Sequence, residues 1–137
     1  MSDLIDRAVA ADVAGASAEV IVAGVVEAGR QADLILGPAP IPGSQEWRAE
    51  EGTDRPAERQ LAWQLLCLRI QLAAGIDSVE TVMSLRRFGA TWATIGRATG
   101  MTRQSAHERW GRQVAAILDP YGDGMPPAVP DDDPVAP

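Results

Sequence analysis

Residues 89–114 read GATWATIGRATGMTRQSAHERWGRQV, and this stretch decides the fold. Thr91 is a residue type that caps helix N-termini, which predicts a short helix over residues 92–99. Gly100 suits the left-handed corner that follows, and Met101 is the inward residue of the turn. Thr102 then caps a second helix beginning at Arg103. Ile95, Met101 and Ala106 face inward, while Gly96 and Ala98 are small enough to let the two helices cross closely. Two short helices joined by a tight glycine corner form a helix-turn-helix pattern.

Charge singles out the same stretch. The 137-residue chain has a net charge of -7, which as an average disfavours a polyanionic partner. Residues 1–80 carry thirteen acids and six arginines, and residues 117–137 carry five aspartates and no base. Between them, residues 81–116 hold Arg86, Arg87, Arg97, Arg103, Arg109 and Arg112 against Glu108 alone. A compact basic unit flanked by acidic segments is an electrostatic footprint for nucleic acid.

All twelve basic residues are arginine, and 46% of the chain is hydrophobic, enough for a real core. The one cysteine, Cys67, lies in an apolar run and is expected to be a buried thiol. No basic-then-apolar secretory segment opens the chain. The longest aliphatic patch, residues 20–26, is flanked by Glu19 and Glu27 and is too short to span a bilayer. These features predict a soluble, cytoplasmic protein that associates with the nucleoid rather than with a membrane.

Working outward from the basic unit, Asp77 or Ser78 caps a supporting helix that closes at Gly89, with Val79, Val82, Met83 and Phe88 as its inner side. Residues 54–74 form the strongest predicted helix, with Pro56 in its first turn and Gly75 as its stop. Leu61, Leu65, Leu68 and Leu72 make one stripe; Trp63, Leu66, Cys67 and Ile70 make a second. Such a helix is apolar over most of its circumference and should be buried, under the following helices or in a dimer.

Residues 37–53 carry Pro38, Pro40 and Pro42 and read as a linker that Trp47 anchors onto a neighbouring core. Residues 1–36 are rich in Ala and Val and are expected to be helical, with starts at Ser2 and Ser17. The β-branched run 20–26 is read as helix rather than strand because no partner strand is evident. The segment is expected to pair with a second copy or another protein. From residue 119 the tail holds six prolines and five aspartates and should be disordered. Asp131, Asp132 and Asp133 are candidates to fold back on the arginine face. The expectation is an all-α protein: an N-terminal helical segment (1–36), a linker (37–53), a three- or four-helix domain (54–118) and an acidic tail (119–137).

In helix-turn-helix units the second helix usually enters the major groove of duplex DNA. A rotation of about 100° per residue from a buried Ala106 puts Gln104, His107, Glu108 and Gly111 outward and Trp110, Gln113, Val114 and Ile117 inward. Arg103, Gln104, His107 and Glu108 are therefore the base-reading candidates, since arginine suits guanine, glutamine adenine and glutamate cytosine. Thr91, Thr102, Ser105, Arg109, Arg112, Arg86 and Arg87 are placed for phosphates, and Gly111 would let the backbone approach the duplex. Trp92 and Trp110 fall near the inward sides and are read as core. His107 has no second histidine or nearby cysteine with which to hold a metal. Neither a cofactor motif nor a paired-carboxylate or nucleophile–base set appears at a usable spacing, so an enzyme is not expected.

WATIGRATGMTRQSAHERW (92–110) resembles a small helix-turn-helix module common in actinobacterial proteins, itself similar to the promoter-reading C-terminal domain of sigma factors. The resemblance covers about 30 of the 137 residues. It implies sequence-specific binding of double-stranded DNA by the helix starting at Arg103, as in a small transcriptional regulator. Many such units hold an aliphatic residue at the position of Arg109, whereas here Trp110 follows one residue later. Nothing before residue 78 resembles a sigma-factor core-binding region. The competing expectation is a protein-interaction module acting on the transcription machinery.

Overall fold

The computed structural model describes residues 2–118, which form seven helices and no strand. They are α1 (Asp3–Ala10), α2 (Ala14–Leu36), α3 (Gln45–Ala49), α4 (Arg55–Ala73), α5 (Val79–Arg87), α6 (Trp92–Thr99) and α7 (Arg103–Leu118). The tail from residue 119, with its expected disorder and the fold-back of Asp131, Asp132 and Asp133, lies outside the described residues.

α4 is the axis of the structure because it is apolar on two sides and is packed on both. Leu68, on one side, belongs to a core built with Val82 and Leu85 of α5, Ala90, Trp92 and Ile95, and Ala106, Trp110 and Val114 of α7. Leu61, Leu65 and Leu72 pack against its rim. The other side receives α2, which contributes buried Ala28, Gly29 and Ala32. Gly29 permits the approach: a Cβ there would sit 3.1 Å from Cζ2 of Trp63. The Trp63 indole Nε1 donates to Asp33 Oδ1 at 2.8 Å, so a polar latch holds the two helices in register. Cys67 is buried at this side. Burial, with the Asp33 carboxylate as a smaller contributor, pushes its thiol from 9.0 up to about 11.

Several local expectations are revised. α2 starts at Ala14 rather than near Ser17, with Asp12 Oδ1 accepting from the Ala14 N–H at 3.1 Å. Its C-terminal half has a partner inside the chain, α4, so residues 1–36 are not a segment apart from the 54–118 helices. The 37–53 stretch contains the one-turn helix α3, whose Trp47 N–H donates to Ser44 Oγ at 3.1 Å. Trp47 is 39% exposed and is not part of the core; the Glu50–Arg59 ion pair ties the stretch to α4. Phe88 is exposed as well. Six residues beyond Val82 is a turn of about 240°, which carries it away from the inner side that Val82 and Leu85 share.

Candidate nucleic-acid interface

The α6–α7 pair is held by three local devices that the sequence encodes directly. Thr91 Oγ1 accepts from the Thr94 N–H at 3.1 Å, and Thr102 Oγ1 accepts from the Ser105 N–H at 3.0 Å, so both helices carry side-chain caps. Gly100 adopts φ 73°, the left-handed corner. The Met101 N–H donates back to the Gly96 carbonyl at 2.8 Å. The turn lies directly on α6 at Gly96: a Cβ there would meet the Met101 carbonyl oxygen at 2.7 Å and the Thr102 oxygen at 3.0 Å. Below the corner, Ile95 and Ala106 are fully buried.

Capping places the hydroxyls expected to face phosphates in other service. Thr91 Oγ1 also bonds Thr94 Oγ1, and Thr102 Oγ1 bonds Ser105 Oγ, each at 3.0 Å. Thr102 and Ser105 remain exposed, and Thr91 is partly so.

The buried residues of α7 are Ala106, Trp110, Gly111 and Val114. Their stripe is centred between Trp110 and Val114, a rotation of roughly 70° from one centred on Ala106. Gln113, expected inward, is exposed as a result; Ile117 falls between Ala106 and Trp110 in angle but lies at the last turn of α7 and is 44% exposed. The outward side is centred on Ser105, Glu108 and Arg112, flanked by Gln104 and Arg109. Gln104 and Glu108 are exposed and joined, the amide Nε2 donating to the carboxylate at 3.1 Å. Arg103 is exposed at the first turn.

Two residues fall elsewhere than expected. Gly111 is buried rather than open to a duplex, because the His107 ring lies where its Cβ would be, with atoms at 3.1 Å. That ring also meets Trp92 edge-on, centroids 5.4 Å apart at 89°. His107 is exposed, but its ring packs against α6 as part of the joint. Gly111 therefore relieves crowding within the joint.

Arg86 is a correction among the expected phosphate contacts. It is 5% exposed, its Nη1 donates to the Ala90 carbonyl at 3.1 Å, and its guanidinium lies 4.8 Å from the Trp92 ring centroid. The arginine fastens α5 to the start of α6, where a planar cation satisfies a buried carbonyl and an aromatic face together. Arg109, by contrast, keeps an exposed head over the Trp110 ring at 4.8 Å.

Arg87, Arg97, Arg103, Arg109 and Arg112 are all exposed, and among the described residues none forms an ion pair with an acid. A residue that charge counting missed joins Arg97. Arg69 of α4 lines an open groove of about 700 Å³ with Arg97, Leu72 and the Thr99–Gly100 corner. Arg69 is the one charged residue of 60–76, within the net-acidic first eighty residues, so only the packing of α4 on α6 places its charge beside the basic unit. Among the described residues no group of His, Cys, Asp and Glu is arranged to hold a metal ion. Compared with known proteins, the chain matches no family model, no curated protein and no solved structure.

Proposed function

We propose that α6 and α7 form a helix-turn-helix unit that binds double-stranded DNA, with α7 in the major groove, and that the chain is a small transcriptional regulator. The observation that carries this reading is the set of five exposed arginines without acid partners, grouped around a helix pair whose geometry is fixed by two caps and a left-handed glycine. Cations held apart from carboxylates are available to neutralise phosphates and release counterions. Gln104 and Glu108 lie on the open side with Arg103 at the leading turn, the end that penetrates deepest in such units. Ser105, Arg109 and Arg112, with Arg87, Arg97 and Arg69 around them, supply the backbone contacts. His107 and Arg86 support the reading helix and are not assigned to the duplex.

The test is anisotropy of the full chain with labelled duplex, random and selected from a random pool, over a salt series. Neutralising three to five phosphates gives a slope of log K on log salt of roughly -3 to -5. Gln104→Ala should cost about 1–3 kcal/mol on the selected site and little on random duplex, whereas Arg112→Ala should weaken both alike. Absence of binding at low salt would remove the DNA reading and leave a protein-interaction role for the same unit.

A further inference from the structure

α2 runs antiparallel along α4: Gly29 and Asp33 lie at Trp63, and Gly24 reaches Ile76 just past the end of α4. Residues 14–22 of α2 therefore extend beyond the helix that covers its other half, and none of them is buried. α1 continues this arm after a bend of 67° and buries no residue at all. An eight-residue helix is too short to be stable in water without packing. Between Val13 and Val26 the only charged residue is Glu19. A helix apolar all round is one that becomes buried, yet here Val13 is 63%, Val20 70% and Val22 60% exposed. On α1, Leu4, Ile5 and Val9 share one side at 69%, 50% and 81% exposure, and Asp3, Asp6 and Arg7 occupy the other.

We infer that this arm is a homodimer interface, formed by α1 and residues 13–22 of two copies of the chain. Leu4, Ile5 and Val9 on α1, with Val13, Val20 and Ile21 on one side at the start of α2, each expose on the order of 100 Å². Together, on the order of 600 Å², they reach the lower end of the roughly 600–1,000 Å² per partner that a standard interface buries. A second copy brings the same apolar face, as twofold interfaces do, and leaves Asp3, Asp6 and Arg7 in water on the far side. Other occupants fit less well. Residues 2–22 carry Asp3, Asp6, Asp12 and Glu19 against Arg7, which repels DNA, an anionic lipid surface and the aspartate-rich residues 119–137. Among the described residues no single helix is long and apolar enough to cross a membrane; α1 and α2 together meet that test only as a bent pair. The inference stands without the DNA reading, though a twofold pair would present two α7 helices.

Sedimentation equilibrium of the full chain without DNA, up to on the order of 50 µM, tests it. The expected mass is twice the 14.5 kDa chain. Val9→Asp with Val20→Asp should weaken association at least tenfold, with a loss of helicity by circular dichroism no larger than the eight residues of α1, since both positions lie on the surface. Phe88→Ser, exposed elsewhere, should leave the dimer intact. A single-chain mass for the wild type overturns the inference, as does a dimer that survives the double substitution. Flotation of a wild-type monomer with phosphatidylcholine vesicles, lost in the double variant, overturns it in favour of a lipid surface. Salt-dependent DNA binding by a chain found monomeric would refute this interface and leave the proposed function standing.

Discussion

Gly96→Ala tests the geometry of the α6–α7 corner through one atom. Helix propensity alone favours alanine over glycine in a helix interior by about 1 kcal/mol. At Gly96, however, the added Cβ would lie 2.7 Å from the Met101 carbonyl oxygen and 3.0 Å from that of Thr102. Both obstacles are backbone, fixed by the Met101-to-Gly96 hydrogen bond of 2.8 Å and by the Thr102 cap. Relieving the clash moves the corner off α6, at an overpacking cost of typically 1–3 kcal/mol, together with a weakened hydrogen bond of about 1 kcal/mol. The net expectation is a loss of about 1–3 kcal/mol, a fall in Tm of roughly 4–20 °C at about 4–8 °C per kcal/mol. Gly24→Ala is the matched control. Its Cβ would also meet an atom at 2.7 Å, but that atom is the terminal Cδ1 of Ile76, which can rotate aside. Urea and thermal denaturation of both variants would decide it. A Gly96→Ala protein as stable as wild type would show that the turn does not rest on α6 as described.

Arg86→Ala should destabilise the chain by about 1.5–3 kcal/mol, the scale of a hydrogen bond to a charged group, because the buried Ala90 carbonyl loses this donor. Arg86→Lys should recover only part of that in chemical denaturation, since an ammonium does not lie flat on Trp92. Cys67 sets a pH dependence: its folded pKa of about 11 exceeds the ordinary 9.0, so folding favours the neutral thiol. That contribution is complete below pH 9 and is lost as pH rises from 9 towards 11, when the unfolded thiol ionises first. Urea midpoints of wild type and Cys67→Ala should therefore diverge in pH slope only in that window. Asp33→Ala removes the acceptor of the Trp63 indole and should cost about 0.5–1.5 kcal/mol. A shift in tryptophan fluorescence at unchanged helicity would report the loosened α2–α4 contact.

How much of this was legible depended on how local each feature is. The caps at Thr91 and Thr102 and the corner at Gly100 involve groups within about one helical turn, so residue type suffices to place them. Burial of Trp92 and Trp110 was legible for a similar reason, as periodicity assigns large apolar residues to one side. The rotation of α7 was not. Its inward centre depends on where α5 and α6 lie, and taking Ala106 as that centre misplaced Gly111 and Gln113. Arg86 and Arg87 are adjacent and chemically identical, yet one is buried against Trp92 and the other is exposed. No property of the pair itself distinguishes them.

The sequence by itself determined the all-α character, the break at the 37–53 prolines, the burial of the 55–73 helix and the concentration of arginines in 81–116. These follow from backbone propensities and residue order, which act over a few positions. Tertiary structure alone decided that α2 covers the second side of α4, that Arg69 joins Arg97 across a groove, and that His107 and Arg86 hold the joint. It also decided which half of the apolar N-terminal helix is left open. Each of these depends on contacts between residues far apart in the chain, and which surfaces meet is set by the packing of whole helices, not by any one helix's own pattern.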